Sequence, residues 1–170
     1  HIPFCARRCT YCDFNTTGGK QALIPEYVSA LISEIEWYGK HLRSTETVKS
    51  IYLGGGTPSL LEPTQIETII KTIQKTFTLQ DSVEITLEAN PGTVSRAYLD
   101  KIRLAGINRL SLGVQSANDD ELKLLGRLHN WEDVVRCVDW ARSANFDNLS
   151  LDLIYGLPGQ SFEKWLLTLE

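Results

Sequence analysis

The sequence predicts an α/β fold in which parallel strands alternate with helices, as in a partial parallel barrel of the (βα)6 type. Five short strand-like segments recur along 170 residues, and a segment with helical periodicity follows each of them. Repeated units of this kind require a parallel sheet with right-handed crossovers. Polar residues recur where successive strands end, which favours a barrel, because its strand ends share one mouth. An open doubly wound sheet is the alternative.

The first two units occupy the N-terminal part of the chain. Residues 1–4 form a short apolar strand, and Pro25, a residue type suited to a first helical turn, begins the following helix. The second strand lies in SIYLGGG at residues 50–56, where glycines stop it, and Pro63 begins the next helix. Both helices carry apolar residues near the 3.6-residue period, at Val28, Leu31, Ile32, Ile35 and Leu42 and at Ile66, Ile69, Ile70, Ile73 and Phe77.

The third and fourth units follow directly. VEITLEANP at residues 83–91 alternates apolar and polar residues and predicts a strand, and a helix over residues 94–105 ends at Gly106. INRLSLGVQS at residues 107–116 predicts the fourth strand, and a short helix begins near Asp119.

A longer helix leads to the fifth unit. Asn130 is placed to cap this helix at its start, and Asp133 completes a box-like cap. NLSLDLIYGLPGQ at residues 148–160 predicts the fifth strand with a turn, and a helix begins near Ser161. The chain has no repeats and no long linkers, so residues 1–170 are predicted to form one domain. It begins without Met and ends inside a predicted helix, which indicates a fragment of a longer protein.

Composition and charge exclude several classes of protein. Hydrophobic residues make up 42% and charged residues 22% of the chain, as in an ordinary globular domain. The net charge of −4 argues against a nucleic-acid-binding surface. No apolar run approaches the length of a transmembrane helix. We expect a cytoplasmic protein whose cysteines stay reduced, and a metal site rather than disulfides for the clustered ones.

Polar or glycine-rich segments stand at the end of every predicted strand. The first strand leads into a cysteine loop and the second into residues 54–57, GGGT. The next three strands end in Glu88 with Asn90, in Gln115 and in Asp152. Because these ends face the same mouth of a barrel, we expect their side chains to form one binding site.

Three cysteines with the spacing C-x3-C-x2-C follow the first strand, namely Cys5, Cys9 and Cys12. A structural zinc site closes with four protein ligands, but Cys137 belongs to the apolar stripe of a predicted helix and is expected in the core. His1 is expected to pack or to form a hydrogen bond. Three thiolates therefore favour an iron–sulfur cluster with one open iron.

This cysteine loop resembles the signature of the radical S-adenosylmethionine enzymes. The segments YLGGGTPSLL, EANPGT, RLSLGVQS, LLGRLHN and DLIYGLPGQ make the chain similar to the oxygen-independent coproporphyrinogen III oxidase family over essentially its whole length. The resemblance implies a six-unit partial TIM-type barrel. Five units are visible, so the sixth unit and a C-terminal domain are expected outside this sequence.

The resemblance also implies roles for individual residues. Cys5, Cys9 and Cys12 would bind a 4Fe–4S cluster, and S-adenosylmethionine would bind its open iron. The glycines would allow close approach of the cofactor, the carboxylates would accept from its hydroxyl or amino groups, and the arginine would pair with its carboxylate. The positions that match cofactor-binding residues are Tyr11, Gly55, Gly56, Thr57, Glu88, Gln115, Arg127 and Asp152. An electron donor is implied as a partner, and no protein residue is assigned as catalytic.

One position separates two branches of this family. Its coproporphyrinogen III dehydrogenases carry another cysteine two positions after the last ligand, where this chain has Phe14. The form with phenylalanine resembles the branch of haem chaperones, which bind haem and transfer it to haemoproteins. We therefore favour a chaperone, with the dehydrogenase acting on a porphyrinogen as the alternative. A third hypothesis is a non-catalytic, zinc-stabilised binding module. Haem ligands are expected outside this sequence, since His41 and His129 are only weak candidates.

Overall fold

The structure, a computed structural model, describes residues 1–41 and 47–170. Its strands are β1 (Phe4–Cys5), β2 (Thr17–Gly18), β3 (Val48–Leu53), β4 (Leu79–Ala89), β5 (Arg109–Gln115) and β6 (Asn148–Leu153). Its α-helices are α1 (Ile24–His41), α2 (Pro63–Thr76), α3 (Arg96–Leu104), α4 (Asp119–Leu124), α5 (Trp131–Ser143) and α6 (Phe162–Leu169). Leu42, predicted for the stripe of the first helix, lies outside the described residues.

The main sheet contains β3, β4, β5 and β6 in chain order, and all of its strands are parallel. The N-terminal segment joins this sheet beside the end of β3, because Ile2 forms a parallel bridge with Gly55. Ile2 N–H donates to Gly54 O at 2.7 Å, and Gly56 N–H donates to Ile2 O at 2.7 Å. The five predicted strands are therefore neighbours in chain order, as a barrel wall requires. β2, which pairs with β1, was not predicted.

Helix starts follow the predicted signals in most cases. A capping box joins Glu62 and Gln65 at the start of α2, and another joins Asn130 and Asp133 at the start of α5, as predicted. α3 begins two residues later than predicted, because the Ser95 hydroxyl accepts a hydrogen bond from Tyr98 N–H and caps the helix there.

The core lies between the sheet and helices that contact one another in chain order, with α1 against α2, α2 against α3, and α3 against α5. Leu87, Leu110 and Leu112 of the sheet are fully buried under this layer. Cys137 is fully buried in α5, as predicted, and burial raises the pKa of its thiol to about 11. In the part of the chain that the structure describes, no helix has the length and hydropathy to cross a membrane.

Leu99→Ala in α3 should lower the free energy of unfolding by about 2–5 kcal/mol, because truncation of this fully buried side chain leaves a cavity. Leu104→Ala in the same helix is the matched control. Leu104 is 88% exposed, so its truncation should change stability by less than about 0.5 kcal/mol. Urea unfolding of both variants measures these values, and equal losses would contradict the assignment of Leu99 to the core.

Candidate functional site

A cavity of about 220 Å³ opens where the strands end at their C-terminal side. The loop after β1, the turn after β3 and the ends of β4, β5 and β6 all contribute to its wall. Every residue that the sequence predicted for the site lines this cavity: Cys5, Cys9, Cys12, Tyr11, Gly55, Gly56, Thr57, Glu88, Gln115, Arg127 and Asp152. The structure thus brings the whole set together, and their individual roles stay predictions.

The cysteine loop is held from two sides. Its three cysteines are free thiols, of which Cys5 is buried and the other two are partly exposed. Thr57 Oγ1 lies 3.7 Å from Cys5 Sγ on one side. On the other side, Thr10 N–H donates to Leu125 O at 3.1 Å, and the Thr10 hydroxyl donates to Leu124 O at 3.0 Å. The loop therefore spans the cavity between the turn after β3 and the end of α4.

The glycines after β3 make room for the chain's own N-terminal strand. A Cβ atom on Gly56 would lie 2.7 Å from Phe4 O and 2.9 Å from Cys5 Sγ. A Cβ atom on Gly55, whose φ is +127°, would lie 2.8 Å from Ile2 O. The sequence predicted that these glycines allow a ligand to approach. The structure gives a different reason, because the closest neighbours belong to the N-terminal segment, residues 1–5, which includes the first cysteine.

Glu88 fixes the glycine turn to the sheet. Its Oε2 accepts from Gly55 N–H at 3.0 Å, and its Oε1 accepts from the Tyr52 hydroxyl at 2.8 Å. Burial and the Glu88 carboxylate raise the pKa of Tyr52 to about 12, so the phenol remains a donor. Sequence reasoning missed Tyr52. Its place between Ile51 and Leu53, both buried, was the available signal, because alternation turns it towards the opposite face of β3.

A second carboxylate, that of Asp152, faces the cavity from β6, the outer strand of the main sheet. The Ser111 hydroxyl lies 3.0 Å from Asp152 Oδ1 and 3.2 Å from Oδ2, which orients the carboxylate. Burial raises the pKa of Asp152, the Ser111 hydrogen bond opposes this shift, and the nearby Glu88 carboxylate adds to it. The cavity therefore holds two acidic side chains on strands that are separated by β5.

Arg127 reaches the cavity from the loop between α4 and α5. Its Nη2 donates to Gly113 O at 2.5 Å, and its Nη1 lies 3.5 Å from Cys9 Sγ and 3.4 Å from the Tyr11 hydroxyl. Burial raises the pKa of Tyr11, and the Arg127 charge opposes this shift. Nε of Arg127 is buried and has no hydrogen-bond partner among the described residues.

Gln115 adopts a backbone conformation that side chains rarely take. Its φ is +75°, and the pairing of β5 with β6 shifts register between Gly113 and Gln115. Bulges and positive φ values of this kind concentrate at functional sites, where the surrounding structure holds the strain. Gln115 is 8% exposed and lines the cavity, which agrees with its predicted place in the site.

His129 was only a weak candidate from sequence, and the structure buries it. The ring is 4% exposed, with Nδ1 2.9 Å from Asn90 Oδ1 and Nε2 3.2 Å from Val114 O. Asn90 Oδ1 also accepts from Gly92 N–H, so both ring nitrogens face oxygen acceptors, an arrangement that favours the imidazolium. Burial and the Arg127 charge oppose it and lower the pKa of His129 to about 4. The neutral ring is therefore the form at pH 7, because the ring is buried and Arg127 is its strongest charged neighbour.

The donor set fits the predicted cofactors. Three thiols, two carboxylates and an arginine with a free buried donor meet around one cavity, which suits a cluster and a small zwitterionic ligand. Across residues 1–41 and 47–170, no group of three or more His, Cys, Asp or Glu side chains is arranged to hold a single metal ion. His1 Nε2 lies 2.8 Å from Asn15 O, as expected for a histidine that forms a hydrogen bond.

Comparisons with known proteins agree with this geometry. The sequence profile of the Radical SAM superfamily matches residues 1–170. Heme chaperone HemW of Haemophilus influenzae is 40% identical over 171 residues, covering 98% of this chain and 44% of that protein. Heme chaperone HemW of Escherichia coli (strain K12) is 39% identical over 167 residues, with coverages of 98% and 44%. The mitochondrial radical S-adenosyl methionine domain-containing protein 1 of Danio rerio is 39% identical, with coverages of 100% and 38%.

A solved structure shows the same fold. Coproporphyrinogen III oxidase (HemN) from Escherichia coli, titled a radical SAM enzyme, superposes with a TM-score of 0.91 at 35% identity. The match covers 99% of this chain and 39% of that one. The predicted α/β barrel and the resemblance are thereby confirmed. The chain spans less than half the length of these relatives.

Lowering the pH from 6.5 towards 4 should destabilise the wild-type protein more than a His129→Gln variant. The pKa of His129 falls from 6.5 to about 4 on folding, so the unfolded chain binds the extra proton in this window. The difference is roughly 3 kcal/mol if the full shift is expressed. The charged groups around the ring are Arg127, Asp119 and Asp133.

Urea unfolding at several pH values measures this difference. His41→Gln, which replaces an exposed histidine outside the core, is the matched control. If the free energy of unfolding depended on pH in the same way for the wild type and His129→Gln, the buried ring would not resist protonation.

Proposed function

The chain belongs to the radical SAM superfamily, and we propose that its cavity binds a 4Fe–4S cluster and S-adenosylmethionine in a haem chaperone. The family implies both of these cofactors. The observation that carries the proposal is the convergence of all eleven predicted site residues on one cavity. The two cofactors are proposed for this chain, whereas haem binding is proposed for the full-length protein.

Cys5, Cys9 and Cys12 are the proposed ligands of the cluster. When bound and reduced, such a cluster supplies an electron to the sulfonium of S-adenosylmethionine. Cys5, the last residue of β1, is buried against the glycine turn, which limits the access of water to this side of the loop. Arg127 places a positive charge 3.5 Å from Cys9 Sγ, beside the proposed cluster.

The carboxylates and Arg127 are the proposed contacts of S-adenosylmethionine. Each oxygen of Glu88 already accepts one hydrogen bond, but a carboxylate has about four acceptor positions, so two remain for the ligand. Asp152 likewise keeps acceptor capacity beyond Ser111. The unpartnered Nε of Arg127 suits the ligand's carboxylate. Tyr11, Thr57 and Gln115 complete the wall of the cavity.

Phe14 supports the chaperone over the dehydrogenase. It lines the cavity and is 66% exposed, so an apolar ring stands at the rim where the dehydrogenase branch has a thiol. The curated relatives of H. influenzae and E. coli carry the name heme chaperone. Coproporphyrinogen III dehydrogenase remains the second candidate, because the structural match to the E. coli oxidase is close. The proposed partners are haem, an electron donor and recipient haemoproteins, in the cytoplasm.

A sixth βα unit and a C-terminal domain in the whole protein are also part of this proposal. In the described residues β6 pairs only with β5, and apolar side chains beside it are exposed, at Leu151, Tyr155 and Phe162. These side chains are what a further unit of a barrel covers, and the relatives are more than twice as long as the matched region.

Cys5→Ala, Cys9→Ala and Cys12→Ala should each abolish the cluster of the full-length protein, because each removes a ligand thiolate. Iron and acid-labile sulfide analysis after anaerobic reconstitution measures the loss. Cys137→Ala is the matched control and should retain the cluster, since Cys137 is fully buried in the core. Zinc without sulfide in the wild type would instead support the zinc-stabilised binding module.

Glu88→Ala and Asp152→Ala should weaken S-adenosylmethionine binding by about 1–3 kcal/mol each, because each removes an acceptor for a charged or buried group. Both variants should keep the cluster. Calorimetry of reconstituted full-length protein measures the affinity. Glu67→Ala, on α2 and outside the lining of the cavity, is a control that should leave the affinity unchanged. Wild-type affinity in both site variants would exclude these contacts.

The full-length protein should bind haem and should not convert coproporphyrinogen III to protoporphyrinogen IX. Phe14 cannot supply the chemistry of a cysteine thiol, whereas it can pack around a bound cofactor. Anaerobic incubation with S-adenosylmethionine and a strong reductant, followed by porphyrin fluorescence after oxidation, tests conversion beside a haem titration. Sustained turnover without haem binding would favour the dehydrogenase.

A further inference from the structure

The loop between α4 and α5 sends two side chains to the end of β5. Arg127 Nη2 donates to Gly113 O, and the His129 ring lies 3.2 Å from Val114 O. Gly113 and Val114 come directly after Leu112, the last residue of β5 that pairs with β4. Two side chains from one loop thus contact consecutive carbonyls just beyond this paired part of the strand.

The same ring also reaches the end of β4. His129 Nδ1 lies 2.9 Å from the Asn90 side chain, which itself caps the turn at Gly92. His129 therefore sits between the chain segments that carry Glu88 and Gln115, and as a neutral ring it donates to one of the two oxygens. With the ring 4% exposed, water cannot replace this contact easily.

Two features of the cavity depend on the contact of the His129 ring: the strained backbone at Gln115 and the direction of the Arg127 side chain. Gln115, with its φ of +75°, follows Val114 directly, and such a backbone persists only where its surroundings hold it. Arg127 precedes His129 by two residues, and its Nη1 points to Cys9 Sγ and the Tyr11 hydroxyl. An anchored His129 fixes the backbone from which Arg127 extends.

We propose that His129 is a positioning residue for the cofactor cavity: its buried ring lies between the ends of β4 and β5, donates to Val114 O and holds Gln115 and Arg127 in place without touching the cofactor. The effect on S-adenosylmethionine rests on the proposed function. The anchoring itself does not, because it is a property of the protein without cofactor.

Hydrogen exchange of the full-length protein tests the anchoring without S-adenosylmethionine. In His129→Leu, which keeps the volume but removes the donor, peptides over residues 112–117 should exchange about tenfold faster. His129→Gln keeps an N–H donor and should stay closer to the wild type. Peptides from α1 and the variant His41→Gln are controls that should not change. Unchanged exchange at residues 112–117 in His129→Leu would overturn the proposal.

Calorimetry with S-adenosylmethionine tests the consequence for the cavity. His129→Leu should bind about tenfold more weakly than the wild type, with normal iron and sulfide content and with partial rescue in His129→Gln. In an Arg127→Ala background, His129→Leu should add a smaller loss than it causes in the wild type, because the part of its effect that acts through Arg127 is already gone. If the two losses of affinity were fully additive, His129 would not act through Arg127, and this part of the proposal would be wrong. A wild type that binds no S-adenosylmethionine, with exchange behaving as expected, would contradict the proposed function and leave the anchoring supported.

Discussion

The backbone contact between the N-terminal strand and the glycine turn after β3 is the constraint on which the site depends. Gly56 N–H and Thr57 N–H donate to Ile2 O and Phe4 O at 2.7 and 2.8 Å. This spacing leaves no room for a side chain at Gly56. Because Cys5 ends β1, the contact places the first thiol at the mouth of the sheet, and the rest of the cysteine loop follows from there.

Uncharged neighbours, and not the other charged side chains, hold Glu88, Asp152 and Arg127 in place around the cavity. Tyr52 and the Gly55 amide hold Glu88, Ser111 holds Asp152, and backbone carbonyl binding holds Arg127. Each charged group is oriented before a ligand arrives and retains capacity for further hydrogen bonds. Preorganisation of this kind lowers the cost of binding, because little side-chain freedom is lost.

Local patterns predicted most of the fold, and the strand ends together with the family resemblance predicted residues that line one cavity. Helix caps at Asn130 and Ser161 depend on nearby residues, so the sequence alone reveals them. Tyr52, Ser111 and the anchoring contact of His129 were missed, because their partners lie between 15 and 41 residues away and depend on strand register. Gly55 and Gly56 line the cavity, and their role in binding stays a prediction, but their closest neighbour is a distant N-terminal segment that no local pattern reveals.

Electron paramagnetic resonance of the reduced, reconstituted full-length protein tests the central claim most directly, namely that the cysteine loop and the strand ends form one cofactor site. The account predicts the signal of a 4Fe–4S cluster whose g values change when S-adenosylmethionine is added. It also predicts that Glu88→Ala and Asp152→Ala require more S-adenosylmethionine for the same change. A cluster signal that S-adenosylmethionine leaves unaltered in the wild type would contradict the account.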